Sequence, residues 1–397
     1  MGYFASSGDA LSTRLVNSLT PQGTFGMEQN RLLLEQEVPF YQAEIDSLSH
    51  PDAQQIELAR ELKDDLAIRA RDGQRFGALW LNRESADSET GTEPLIVLNG
   101  FMANLTGIDD KMRAYFLART LPERPILVVD QLSQGLSDKY NQNQRHELCD
   151  LGDLSGVGTN MYQAIDDFVT GRLPNAGSIL LHADSFGARV SLDVAKASLQ
   201  HTGSIPISQL QAFELPGTRN RRFGIHAAYF GYEWGRSKNY QKEWLESAKQ
   251  SFVRYLEAAG PLAQTQPSFF RRDLAGATRN FWHSILGYDT GSAVLSGLIE
   301  EGLQVSRVVG GASRVDNPVH ARRQWADMGK RFGLFIASHE SHDGLGALTH
   351  ARVRSRLIGS LTTHPFRPED LPGVIEFNMS QFSNDGPLGR LSGGVAA

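Results

Sequence analysis

The stretch Ser178-Ile179-Leu180-Leu181-His182-Ala183-Asp184-Ser185-Phe186-Gly187 begins as an apolar strand and turns sharply into a helix. Its last five residues follow the pattern G-x-S-x-G, with Ala183 in place of the first glycine. A serine at the tip of such a turn is exposed, with the N–H groups of a helix N-terminus beside it. The ordinary alternative is that Ser185 only caps the helix that follows. Strand alternation points Asp184 away from the Ser185 side, which marks it as structural.

Outward from this turn, the chain alternates strand and helix. Toward the N-terminus lie Leu95–Leu98 and Ile126–Val129, continuous apolar runs of the kind found in buried parallel strands. Helical stretches near Lys111–Thr120 and Val157–Thr170 separate them from each other and from the strand before Ser185. Leu66–Leu81 reads as a hairpin with its turn at Asp72-Gly73. Toward the C-terminus, Leu210–Leu215, Val305–Val309 and Leu334–Ile336 read as further strands. This rhythm predicts an α/β fold with a doubly wound, mostly parallel sheet, whose ligands bind beyond the carboxyl ends of the strands.

Two segments break the rhythm. Residues 1–65 read as a mostly helical acidic extension, divided by Pro39 and by His50-Pro51-Asp52. Residues 216–292 read as a helical, aromatic-rich insertion between core segments 66–215 and 293–360, and 361–397 reads as a C-terminal tail. From Arg219 to Arg279 the insertion carries eleven Lys/Arg against five Asp/Glu. The simplest expectation is that the acidic extension docks on the basic insertion by charge complementarity. The alternative is that the basic insertion attracts anionic substrates or a lipid surface.

The bulk composition narrows the classes. A net charge of −6, with 40% hydrophobic and 21% charged residues, gives no sign of a nucleic-acid partner. The single cysteine, Cys149, excludes an intrachain disulfide and a cysteine-based metal site. The first residues lack the basic-then-apolar pattern of a secretory signal, and no run of about 18 apolar residues is long enough to span a bilayer. The expectation is a cytoplasmic protein; its oligomeric state is not legible.

Four strand-end stretches then fall into one arrangement: Leu98-Asn99-Gly100-Phe101, Asp130 to Asp138, the turn at Ser185, and the late pair Asp316 and His342. In order and spacing over about residues 66–360 they resemble the α/β-hydrolase family, in particular its capped branch. There the motifs run H-G, D-x-x-G-x-G-x-S, G-x-S-x-G, an acid, a histidine. Asn99 stands where that histidine-glycine pair has histidine, and Ser133 where the second motif has its first glycine. The resemblance implies a serine nucleophile at Ser185, a base at His342 with His339 as its competitor, and an orienting acid at Asp316. It also implies an oxyanion hole from the backbone N–H groups of Phe101 and Phe186. The family usually places its carboxylate where Arg314 stands, so the acid is either Asp316 or, from an earlier strand end, Glu214. Asp316 also reads as a helix cap before Pro318.

These residue types suit the chemistry. A serine hydroxyl attacks well only when an imidazole takes its proton, and a carboxylate must fix that imidazole's tautomer. The resemblance implies a capped serine hydrolase of the esterase or lipase kind, needing no cofactor or metal and acting on a small acyl substrate with an apolar part. Relatives that cleave thioesters, amides or carbon–carbon bonds use the same triad, and a hydrolase-fold protein that only binds is the competing expectation.

Overall fold

The computed structural model describes residues 22–87, 93–216 except 102, 201 and 202, 243–262, 290–364 except 314, 339, 341–344 and 346, and 373–383. Nine strands among them form one sheet. They are β1 (Leu66–Arg69), β2 (Arg75–Leu81), β3 (Leu95–Leu98), β4 (Ile126–Val129), β5 (Ile179–Asp184), β6 (Ile207–Phe213), β7 (Gln304–Gly310), β8 (Gly333–Ala337) and β9 (Ile375–Phe377). Their order is β1-β2-β4-β3-β5-β6-β7-β8-β9. β2 runs antiparallel to β1 and β4, and every later pairing is parallel. The hairpin turns at Gly73, whose φ of 90° suits glycine and few other residues.

The longer helices among the described residues are α1 (Gln22–Ser47), α2 (Ala53–Glu61), α3 (Ile108–Thr120), α4 (Ser155–Arg172), α5 (Phe186–Leu199), α6 (Glu243–Ala258), α7 (Thr290–Glu300), α8 (Pro318–Asp327) and α9 (Ala351–Thr363). Because alternate strand residues point to opposite faces, the apolar runs of the sheet feed two cores. Ile96, Leu98, Leu181 and Ala183 pack in one core with α4, α5, α7 and α8. Leu95, Val97 and Leu180 pack in the other with α1, α2, α3, α6 and α9.

The extension and the insertion meet on this second face. α1 continues through Pro39, so the break falls only at residues 48–52, where Asp52 caps α2 and shares a capping box with Gln55. Leu33, Tyr41, Ile45 and Leu48 of the extension are buried, as is Leu58 of α2. Of the insertion, the structure describes 243–262 and the residues from 290 on. α6 reaches the extension through rings rather than charges. Trp244 lies edge-on to Tyr41 at 5.0 Å, and the Tyr255 hydroxyl donates to the Gln55 carbonyl. Lys249 of α6 pairs with Asp109 of α3 at 2.9 Å, not with the acidic extension. Aromatic packing joins the two segments where they are described; nine of the eleven basic residues on which the expected charge complementarity rests lie outside the described residues. At the other end of the chain, the segment read as a tail contributes the end of α9 and the edge strand β9.

Candidate active site

Ser185 stands between β5 and α5 with φ 49° and ψ −117°. A residue with a Cβ holds that conformation only where its surroundings force it, and such strain concentrates at functional sites. The residue is half-buried, not sealed in the interior. Its N–H donates to the Phe213 carbonyl at 2.8 Å, so the backbone stays bonded to β6 as the chain turns. Gly187 allows the crossing that follows. A Cβ there would lie 2.4 Å from the Leu98 carbonyl oxygen and 2.5 Å from that of Asn99, both backbone atoms at the end of β3. At the first position of the motif, Ala183 buries its methyl in the core.

The same close approach brings the loop after β3 to the serine. A Cβ on Gly100 would lie 3.3 Å from the Asp184 carbonyl oxygen and 3.4 Å from the Ser185 Cβ. Three amide side chains hold this loop. Gln131 donates to the Asn99 carbonyl at 3.2 Å, and Gln134 donates to the Gly100 carbonyl at 3.4 Å. Asn99 donates from its Nδ2 to Asp130 at 3.4 Å, and the Leu105 N–H donates to the same carboxyl at 3.0 Å. Burial pushes the Asp130 carboxyl well above the usual carboxylate range, against the opposing pull of the Leu105 N–H. Ser133 has φ 61°, the left-handed geometry that the glycine of the D-x-x-G-x-G pattern would adopt. Phe101 ends this anchored stretch, and Phe186 heads α5.

Two carboxylates stand beyond the serine, in different circumstances. Glu214 directly follows β6, beside Ser185, with φ 53° and its side chain buried. It accepts from the Gly310 N–H and, at 2.6 Å, from the Ser313 hydroxyl. Gly310 makes room for it, since a Cβ there would lie 2.9 Å from Glu214 Oε1 and 2.5 Å from the Glu340 carbonyl oxygen. Asp316, expected as the orienting acid, is instead chelated by Arg307 of β7, Nη2 to Oδ1 at 2.5 Å and Nε to Oδ2 at 3.3 Å, with both side chains buried. Nor does it cap α8. Asn317 does so, accepting from the N–H groups of Val319 and His320. His342 and His339 lie outside the described residues.

A strained serine at the end of the fifth strand, in a sheet ordered 1-2-4-3-5-6-7-8-9 with its second strand antiparallel, settles the fold. The chain has the α/β-hydrolase fold. No protein-family model and no curated protein matches the sequence. Among solved structures, a serine hydrolase of Cycloclasticus zankles aligns with a TM-score of 0.46 at 12% identity, over 75% of this chain and 96% of its own. The meta-cleavage product hydrolase of Pseudomonas fluorescens aligns with a TM-score of 0.45 at 13% identity, over 76% and 98%. The thioesterase domain of the curacin biosynthetic pathway gives 0.43 at 13%, over 75% and 99%. At such identities the likeness is one of fold alone, and the chemistry rests on this chain's own residues.

Beneath the turn at Ser185 lies a polar cluster that the sequence pattern did not reveal. Asp184 turns toward α9 and accepts from Arg354, whose Nη2 also lies 3.2 Å from His182 Nε2. His182 Nε2 also lies 3.4 Å from Asp184 Oδ2, so the imidazole faces both the guanidinium and the carboxylate. Burial holds the His182 imidazole below its ordinary pKa, and Arg354 depresses the Asp184 carboxyl below the usual carboxylate range despite burial. Gln211, the register partner of His182 on β6, donates to Thr362 of α9 at 3.0 Å. The one sequence signal was the run Arg352-Val353-Arg354-Ser355-Arg356 at a helix N-terminus, where the helix dipole disfavours cations.

Proposed function

We propose that this chain is a serine hydrolase that cleaves an acyl ester through an acyl-enzyme on Ser185. The observation that carries the reading is the strained Ser185, half-exposed at the carboxyl end of β5, with the loop backbone at Gly100 against it on one side and Glu214 on the other. In this reading the Ser185 hydroxyl attacks the ester carbonyl while a histidine from the connection between β8 and α9 takes its proton. That histidine is His342, with His339 three residues earlier as its competitor. The developing oxyanion is met by the N–H groups of Phe101 and Phe186, each donor worth roughly 3–4 kcal/mol in such a site. The histidine returns its proton to the leaving alcohol, and water then repeats the sequence on the acyl-enzyme.

We assign the orienting acid to Glu214 rather than Asp316. Taking Asp316 to an imidazole would strip Arg307 of its buried partner, at a cost of about 3–5 kcal/mol. Glu214 follows the strand beside the nucleophile, and its carboxylate lies over Gly310 next to the Glu340 backbone, at the entrance to the segment that holds both histidines.

Labelling with a fluorophosphonate probe tests the reading. The wild type should be labelled, and Ser185→Ala should abolish labelling. An unlabelled wild type would favour a hydrolase-fold protein that binds without catalysis. The triad serves oxygen esters, thioesters, amides and carbon–carbon bonds alike, so p-nitrophenyl esters of increasing chain length, run beside a thioester, would read the bond type and acyl size.

A further inference from the structure

α9 begins with three arginines in its first two turns, Arg352, Arg354 and Arg356, where the helix dipole makes each one unfavourable. Two of them are matched by acids on opposite sides, Glu37 buried and Asp184 half-buried. Arg352 meets Glu37 of α1 at 3.1 and 3.2 Å and also donates to the Ser383 carbonyl. Arg354 reaches the other way, into the sheet, and meets Asp184 and His182 of β5. The start of α9 is therefore keyed from both sides, and one of the keys is the residue immediately before the nucleophile.

The sheet face under α9 is polar where the opposite face of the same strands is apolar. His182, Gln209 and Gln211 are buried there, and Gln209 donates to the Leu361 carbonyl while Gln211 donates to Thr362. An apolar contact tolerates sliding by a fraction of a turn, whereas a hydrogen-bonded polar column has one register. A fixed register at α9 bears on the chemistry because α9 directly continues the connection from β8, and Arg354 lies only one turn into it.

We infer that Arg354 and Asp184 are a positioning pair, which locks the start of α9 to the backbone that holds Ser185. This rests on the serine-hydrolase reading and adds to it a device that holds the nucleophile's turn in place. A displacement of about 1 Å between reacting groups costs roughly a hundredfold in rate, so a device that holds them in register has a measurable effect.

The test uses the full chain and four variants: Asp184→Asn, Arg354→Met, their combination, and Arg354→Lys. Fluorophosphonate labelling rate, kcat and KM on a short p-nitrophenyl ester, and Tm are measured for each. Val169→Ala, in the buried face of α4 on the far side of the sheet, serves as a control that loses stability without touching α9. The labelling rate and kcat of Asp184→Asn and Arg354→Met should fall about 10- to 100-fold with KM within about threefold of wild type. The double variant should be no worse than either single one, the non-additivity expected of residues acting as a unit. Arg354→Lys should recover part of the rate. Variants labelled at the wild-type rate, or slowed only as much as Val169→Ala, would overturn the positioning role while leaving the nucleophile assignment intact. An unlabelled wild type would overturn both.

Discussion

Glu214 and Asp316 are both buried carboxylates at strand ends on the catalytic side of the sheet, and what separates them is their partners. Asp316 is paired with the buried Arg307 guanidinium, whereas Glu214 accepts from a backbone N–H and a hydroxyl. Removing each should therefore fail differently. Glu214→Gln keeps the volume and can still accept from Gly310 and Ser313, so Tm should change little while kcat falls by about 10³–10⁴, as expected when the base loses its orienting charge. Asp316→Ala takes the buried carboxylate from Arg307 and should cost about 3–5 kcal/mol of stability, with kcat near wild type where the protein remains folded. Chemical denaturation and steady-state kinetics on the two variants check both halves, and the opposite pattern would return the acid to Asp316. The turn at Ser185 was legible in the sequence because it is a local pattern. The pairing of Asp316 with Arg307 was not, because Arg307 lies nine positions earlier on a strand whose neighbours carry no mark of it.

At the scale of elements, the buried parallel strands were legible for the reason they are buried. Leu95–Leu98 and Ile126–Val129 are covered on both faces and so are apolar at every position. β9 escaped because Ile375-Glu376-Phe377 is too short to show a period, and Glu376 at an edge is exposed. Buried polar residues interrupt three of the later strands, β5, β6 and β7, and β5 buries His182 against α9. Burial depresses the pKa of this imidazole, so the folded protein keeps it neutral at pH values where the unfolded chain protonates it. The sign follows. Its contribution to stability is present above the unfolded value of about 6.5 and is lost as pH falls below it, by at most about 1.4 kcal/mol per pH unit. Substituting His182→Gln should remove this loss. The stability of wild type relative to the variant should then decline from pH 7 to pH 5, as measured by urea denaturation at each pH. Parallel pH profiles would show that His182 titrates alike in both states.

For the molecule as a whole, the acidic N-terminal segment packs as part of the sheet's own body where it is described. α1 and α2 cover α3 on one face of the sheet, and α6 of the insertion lies against all three. Tyr115 of α3 gathers them: its ring meets Phe252 at 5.5 Å and Tyr255 at 5.9 Å, and its hydroxyl pairs with Glu44 and Gln55. Deleting residues 1–60 would expose the sites of Leu33, Tyr41, Ile45, Leu48 and Leu58, each worth about 1.5–3 kcal/mol when fully buried. It would also leave Arg352 without Glu37 at the start of α9. The combined loss is on the order of 10 kcal/mol, comparable to the entire stability of a typical domain of about 5–15 kcal/mol. The truncated chain should therefore lose cooperative unfolding and bind a hydrophobic dye, and high salt should not restore it, because the lost contacts are mostly apolar. Recovery of a sharp thermal transition in the truncated protein would show that the sheet, α3 and α6 form a stable core without the extension. A salt-sensitive loss of stability in the full chain would instead bring back charge complementarity as the force that joins the extension to the insertion.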